Sequence, residues 1–73
     1  MFVLGTNDDN GTLFIAGVER EAWDYHSEYF PCWEQLPEHS MTFNSWMDAD
    51  EYRSRLKRLG ITARLYIWEW HPS

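Results

Sequence analysis

The chain has to fold without a disulfide bond. It has 73 residues and a single cysteine, Cys32, so no cross-link within one copy can restrict the unfolded state. A domain of this length is near the lower limit for folding on an apolar core alone. Aromatic residues make up 18% of the chain, and each buries a large area. We therefore expect one domain, residues 1–73, with an aromatic-rich core.

The charged residues are separated along the sequence. Residues 1–52 carry eleven acids and one base, Arg20, for a net charge of −10. Residues 53–73 carry five bases and one acid, Glu69, for a net charge of +4. Such a polarised surface attracts some partners and repels others. The alternative interpretation is that the acids only keep the protein soluble.

Residues 45–60 predict an α-helix. Ser45 and Asp48 have the spacing of a capping box, and Gly60 is typical of the position just beyond a helix end. Acids near the start and bases near the end match the helix dipole. Apolar residues recur every three or four positions, as in a helix with one buried side. They are Trp46, Ala49, Tyr52, Leu56 and Leu59.

Three other segments predict β-strands. Residues 2–4 and 12–18 flank a cluster of turn-forming residues and should pair as a hairpin with a loop longer than the minimum. Residues 61–70 alternate as a strand does, and residues 41–43 could add a short strand. We therefore predict an α+β fold. Its small antiparallel sheet consists of the N-terminal hairpin and the C-terminal strand, with one α-helix packed on a face.

Residues 19–40 show no regular pattern. Residues 19–29 could form one or two turns of helix, or a strand that carries Trp23 and Tyr25. Pro31 and Pro37 then exclude a long regular element, because each removes a backbone donor and restricts the preceding residue. The segment is rich in Trp and Tyr, which favours a loop packed over the core.

One face of the last predicted strand is a candidate binding surface. It carries Arg64, Tyr66, Trp68 and Trp70, and these residue types dominate the energy of many interfaces. The alternative is that residues 19–40 fold across this face and bury it, because large exposed apolar patches are rare.

The sequence contains no motif for catalysis, a cofactor or a metal. Cys32 and His39 are one nucleophile and one base, with nothing to bring them together. Phosphate-binding loops, dinucleotide fingerprints and hydrolase elbows are absent from the sequence. His26, Cys32 and His39 are six and seven residues apart, which is wider than the usual zinc-ligand pairs. We expect a protein that is not an enzyme and holds neither cofactor nor metal.

The sequence also predicts a cytoplasmic protein that does not bind membranes. No apolar run approaches the ~20 residues of a membrane span, and the N-terminus does not resemble a signal peptide. A lone cysteine is typical of a reducing compartment.

Residues 41–70 resemble a pattern found in many small phage and bacterial proteins. The pattern consists of a Thr-Phe entry, a capped helix with Asp-Ala-Asp-Glu-Tyr, a Leu-Lys-Arg-Leu-Gly stop and an aromatic strand. The overall profile of the chain also resembles, in type, phage-encoded inhibitors of host machinery: anti-CRISPR, anti-restriction and RNA-polymerase-binding proteins. This resemblance implies a protein-binding inhibitor and assigns no functional residue.

These observations predict a non-enzymatic inhibitor or regulator that occupies a basic site on a host nucleic-acid-handling protein, in the host cytoplasm if it is phage-encoded. The candidate partner-binding residues are Asp8, Asp9, Asp24, Glu28, Asp48 and Glu51 for the acidic face, with Arg64, Tyr66, Trp68 and Trp70 for the aromatic one. One alternative is a homodimer or larger homo-oligomer assembled through the aromatic C-terminal strand. Another is binding of single-stranded nucleic acid by Arg64, Tyr66, Trp68 and Trp70, which the net charge of −6 opposes.

Overall fold

The computed structural model describes residues 1–72, which form a four-stranded sheet with one α-helix. The elements in chain order are β1 (Phe2–Asp8), β2 (Gly11–Trp23), β3 (His26–Glu34), a short 3-10 helix (Pro37–His39), α1 (Trp46–Arg58) and β4 (Tyr66–Glu69). The strands are antiparallel in the order β3-β2-β1-β4. The predicted α+β fold, with an N-terminal hairpin, a C-terminal strand and one helix, is confirmed.

Both predicted ends of α1 are confirmed. Ser45 Oγ accepts a hydrogen bond of 3.1 Å from the Asp48 amide, which satisfies one of the free donors of the first turn. At the other end, the Ile61 amide donates to the Leu56 carbonyl at 3.1 Å. This closure requires a left-handed residue between them, and Gly60 supplies it with φ 91°.

The core lies between α1 and one face of the sheet. Ala49 and Leu56 of the helix are buried against Leu4 and Ile15 of the sheet. Two predicted members of the apolar stripe, Trp46 and Leu59, are not among the residues that form this core or pack against it. The Trp46 side chain is half exposed, and the Arg53 guanidinium lies 6.0 Å from the centre of its ring.

Replacing Ser45 by Ala should lower the free energy of unfolding by about 1 kcal/mol, because the Asp48 amide loses its acceptor. Urea denaturation followed by circular dichroism measures this change. The matched control is Ser54→Ala, at an exposed position inside α1, which should be nearly neutral. Equal losses in the two variants would contradict the capping role of Ser45.

Residues 19–34 differ most from the sequence prediction. The strand, one of the alternatives for residues 19–29, is present, whereas the expectation of a loop packed over the core and the exclusion of a long regular element at Pro31 were wrong. β2 and β3 pair continuously from Val18–Pro31 to Trp23–His26, and Pro31 is tolerated because β3 is an edge strand. We call residues 19–30 the arm. Almost all of its residues are exposed, and the molecule is elongated, measuring 45 × 28 × 18 Å.

A β-bulge between Ile15 and Gly17 interrupts the regular pairing of β2. Bulges bend a strand and increase its twist, and β2 leaves β1 at this point. Residues 41–43 occupy the resulting gap. The Met41 amide donates to the Ile15 carbonyl at 3.0 Å, and Phe43 exchanges two bonds of 2.8 Å with Phe2. The predicted short strand at residues 41–43 is therefore present only as a single bridge.

Two other strand boundaries differ from the prediction. The first hairpin has a two-residue turn, Asp9–Asn10, instead of a long loop, and the Asp8 carboxylate accepts from the Asn10 amide at 2.8 Å. β4 begins at Tyr66 instead of Ile61. Residues 61–65 are irregular, and Arg53 Nη1 donates to the Leu65 carbonyl at 3.2 Å.

Candidate functional site: the open face of the sheet

The sheet has one face covered by α1 and a second face turned away from it, which we call the open face. Directly paired residues of antiparallel strands point to the same face, and successive residues point to opposite faces. Leu4 and Ile15 pack on the helix side, so the register assigns their strand neighbours to the open face. The aromatic residues placed there by the strand pairing are Phe14, Trp23, Phe30, Tyr66 and Trp68.

The open face also carries every glutamate of β2 and β3. These are Glu19, Glu21, Glu28 and Glu34. The two strands contain one Lys or Arg, which is Arg20. It points to the helix side and donates to Ser27 Oγ at 3.0 Å. Within the described strands, no Lys or Arg points to the open face. The open face of the strands is therefore acidic, whereas α1 carries acids and bases together.

Two of these glutamates face each other directly. Glu21 and Glu28 are cross-strand partners, and both are exposed. Like charges at directly opposed positions destabilise a sheet. The free protein therefore carries an unfavourable pair that a positively charged partner would relieve.

The arm presents large apolar side chains to solvent. Trp23 is 47% exposed, Phe30 is 41% exposed and Tyr25 is fully exposed. Tyr25 follows Asp24, which has φ 50° in the tight turn at the tip of the arm. Each of the three keeps a large exposed area within residues 1–72, so they are available as anchors for a partner.

The aromatic residues of β4 form a second, smaller packed cluster on the open face. Trp68 contacts the Phe14 ring edge to face, with ring centres 5.9 Å apart at 74°, and Tyr66 stacks against Trp68 at 6.0 Å. Val3 faces away from α1 and is nevertheless only 1% exposed. The arm does not fold across this cluster; of residues 19–40, only Pro37 borders the cavity beside it. Trp68 and Trp70 are half-buried.

A cavity of about 360 Å³ opens beside this cluster. We call it the aromatic pocket. The residues that line it are Val3, Asn7, Thr12, Phe14, Pro37, Trp68, Glu69 and Trp70. Its polar end is formed by Thr12 Oγ1, which donates to Asn7 Oδ1 at 2.6 Å.

The structure does not bring the six predicted acidic residues onto one face. Asp8 and Asp9 lie at the first hairpin turn, whereas Asp24 lies at the tip of the arm, at the opposite end of β2. Asp48 and Glu51 are exposed on α1. Glu28 is the one member of the set on the open face.

Sequence reasoning missed three glutamates of the open face, Glu19, Glu21 and Glu34. The alternation Glu19-Arg20-Glu21 was a signal for them, since residues two apart in a strand share a face. It was not used, because a strand was only one of the alternatives for residues 19–29 and a packed loop was favoured for the segment.

Arg64 is separated from the aromatic residues with which the sequence had grouped it. It precedes β4 and lines a different cleft with Lys57 and Ile61. The predicted surface of Arg64, Tyr66, Trp68 and Trp70 on one strand is therefore not formed, and only its aromatic part lies together.

Comparison with known proteins assigns no family. No protein-family model, curated protein or solved structure matches the chain. No helix within residues 1–72 is long and apolar enough to cross a membrane. Within the same residues, no three His, Cys, Asp or Glu side chains are grouped so that they could share a metal ion.

Proposed function

We propose that this protein is a non-enzymatic binding protein that inhibits or regulates a nucleic-acid-handling protein. It acts by covering the basic surface of that partner with its open face, as phage-encoded inhibitors of this type do. The observation that carries the proposal is the composition of the open face. This face combines four glutamates with exposed aromatic side chains, and no Lys or Arg of the described strands points to it.

The mechanism is competition with nucleic acid. Carboxylates along the arm take the positions of phosphates, and the long-range field of the acidic strands accelerates the encounter. Residues 19–34 carry five acids and one base, so that field comes mainly from the paired part of β2 and β3. Trp23, Tyr25 and Phe30 supply the apolar contacts that slow dissociation.

Reversing the charge of the open face should abolish partner binding. The test variant is Glu19→Lys/Glu21→Lys/Glu28→Lys, and the matched control is Asp9→Lys/Asp48→Lys/Glu51→Lys. Each changes the formal net charge from −6 to zero, so the two differ only in where the charge is lost. Retention of proteins from a host lysate on the immobilised chain is measured by mass spectrometry, with elution by salt or by a DNA or RNA oligonucleotide.

We expect the wild type and the control to retain a nucleic-acid-binding protein that the oligonucleotide releases. The open-face variant should retain it at least about tenfold less, since several close charge pairs become repulsive. Similar losses in both variants, or retention that the oligonucleotide does not reduce, would show that the proposal is wrong.

The two alternative functions gain less support. Assembly through the last strand would depend on β4, which has only four residues, and Trp68 already packs against Phe14 within one copy. Binding of single-stranded nucleic acid would place phosphates beside the glutamates of the open face, and that repulsion removes most of the usual affinity. Sedimentation at several concentrations tests the first alternative, and titration with a labelled oligonucleotide tests the second.

A further inference from the structure

We infer that the aromatic pocket of the open face binds an arginine side chain of the partner protein. This inference rests on the proposed function, because it names the chemistry of one contact with a basic partner. Its argument depends on the shape of the pocket, on its polar end and on the charges around it.

The walls of the pocket suit a flat cation. The rings of Phe14 and Trp68 stand at 74° to each other, Trp70 lines the same cavity and Val3 also contributes to its lining. A guanidinium stacks on an indole face and is attracted by the ring quadrupole. Tyr66 stacks against Trp68, so this wall is held in place before a ligand arrives, and preorganisation favours binding. The same pairing occurs within this protein, where Arg53 lies over Trp46.

The polar end of the pocket offers hydrogen-bond acceptors. Asn7 Oδ1 accepts one bond from Thr12 Oγ1 and retains a second lone pair, and the threonine oxygen can also accept. Arginine directs five N–H donors outward in the plane of the group while its faces stack on aromatic rings. A lysine ammonium is a compact, strongly hydrated charge without such a plane. The combination of stacking walls and in-plane acceptors therefore selects arginine.

The charges around the pocket favour a cation over a neutral apolar ligand. No Lys or Arg lines it, and Glu34 is the direct cross-strand neighbour of Phe14 on the open face. A proline-rich segment also fits aromatic grooves, but it would gain nothing from the surrounding acids. Charge complementarity therefore identifies the occupant as a basic side chain.

The test uses the whole chain and two small probes. N-acetyl-arginine amide and its neutral isostere N-acetyl-citrulline amide are titrated while NMR records the indole N–H signals of the five tryptophans. We expect the arginine probe to shift the Trp68 and Trp70 signals with a Kd of about 1 to 10 mM. Citrulline should bind about tenfold more weakly, since it cannot form the cation–π contact. Equal responses to the two probes, or shifts confined to other tryptophans, would overturn the inference.

Two variants locate the binding site. Trp70→Leu removes one ring while leaving the Phe14–Trp68 contact in place, and it should weaken the arginine response several-fold. Trp46→Leu, at a half-exposed tryptophan on α1, should not change it. An unchanged response in Trp70→Leu counts against the pocket. If Trp70→Leu does not fold, the comparison of arginine with citrulline on the wild type decides.

The same experiments separate the inference from the proposed function. If the arginine probe does not bind but reversal of the open-face glutamates still abolishes partner retention, only the inference is wrong. If the probe shifts Trp68 and Trp70 but that reversal leaves retention unchanged, the pocket exists and the proposed function is wrong.

Discussion

Replacing Leu56 by Ala should lower the free energy of unfolding by about 3 kcal/mol, within the range of buried Leu→Ala substitutions. Leu56 is 1% exposed and packs in the core with Leu4, Ile15 and Ile61. It joins the helix, the sheet and the segment that leads to β4, so the surrounding chain cannot easily close the cavity. The expected loss is a large fraction of the stability of so small a domain.

Urea denaturation of Leu56→Ala, followed by circular dichroism, measures this loss. The matched control is Leu36→Ala, which removes the same atoms from a side chain that is 48% exposed. The control should lose less than about 1 kcal/mol, because about half of the Leu36 side chain is already exposed to water and its removal eliminates less buried apolar area. A loss in Leu56→Ala no larger than in the control would contradict the core described here.

The second large effect is expected at Gly5, where replacement by Ala should cost about 2 kcal/mol. Gly5 lies in the central strand β1 and pairs with Phe14 on one side and Tyr66 on the other. A Cβ atom here would collide with the Trp68 ring and lie 2.8 Å from the Leu13 carbonyl oxygen. The backbone oxygen cannot move freely, so overpacking of this kind strains the sheet.

A double-mutant cycle tests the cause of that loss. In a Trp68→Leu background, Gly5→Ala should cost about 1 kcal/mol less than in the wild type, since the collision with the ring is gone. The near-ultraviolet circular dichroism of Gly5→Ala should also change, because Trp68 is displaced from Phe14. Additive losses in the cycle would show that Trp68 does not rest on Gly5.

The helix could be predicted from the sequence because its signals are local. The Ser45 cap acts over three residues, and the stop at Gly60 depends on the conformation of one residue. Neither requires knowledge of the rest of the chain. The sequence wrongly placed Trp46 on the buried side of the helix. A spacing of three and four residues identifies the apolar side of a helix, but it does not show how far that side is covered by the rest of the protein.

The arm could not be predicted because the effect of a proline depends on its tertiary position. Pro31 excludes a central strand but is compatible with an edge strand, where one side of the backbone has no partner. Only the strand order shows that β3 is at the edge. Gly5 belonged to the cluster of turn-forming residues between the first two predicted strands. In the structure it lies in β1, where a Cβ atom would collide with Trp68.

The sequence by itself determined the helix, the fold class and the separation of charges along the chain, since these follow from local periodicity and composition. The tertiary structure decided which side chains share a face. A shift of one residue transfers every following side chain of a strand to the opposite face, and the bulge between Ile15 and Gly17 makes such a shift in β2. Because of that one extra residue, Glu19 and Glu21 lie with Trp68 on the open face instead of facing the helix side.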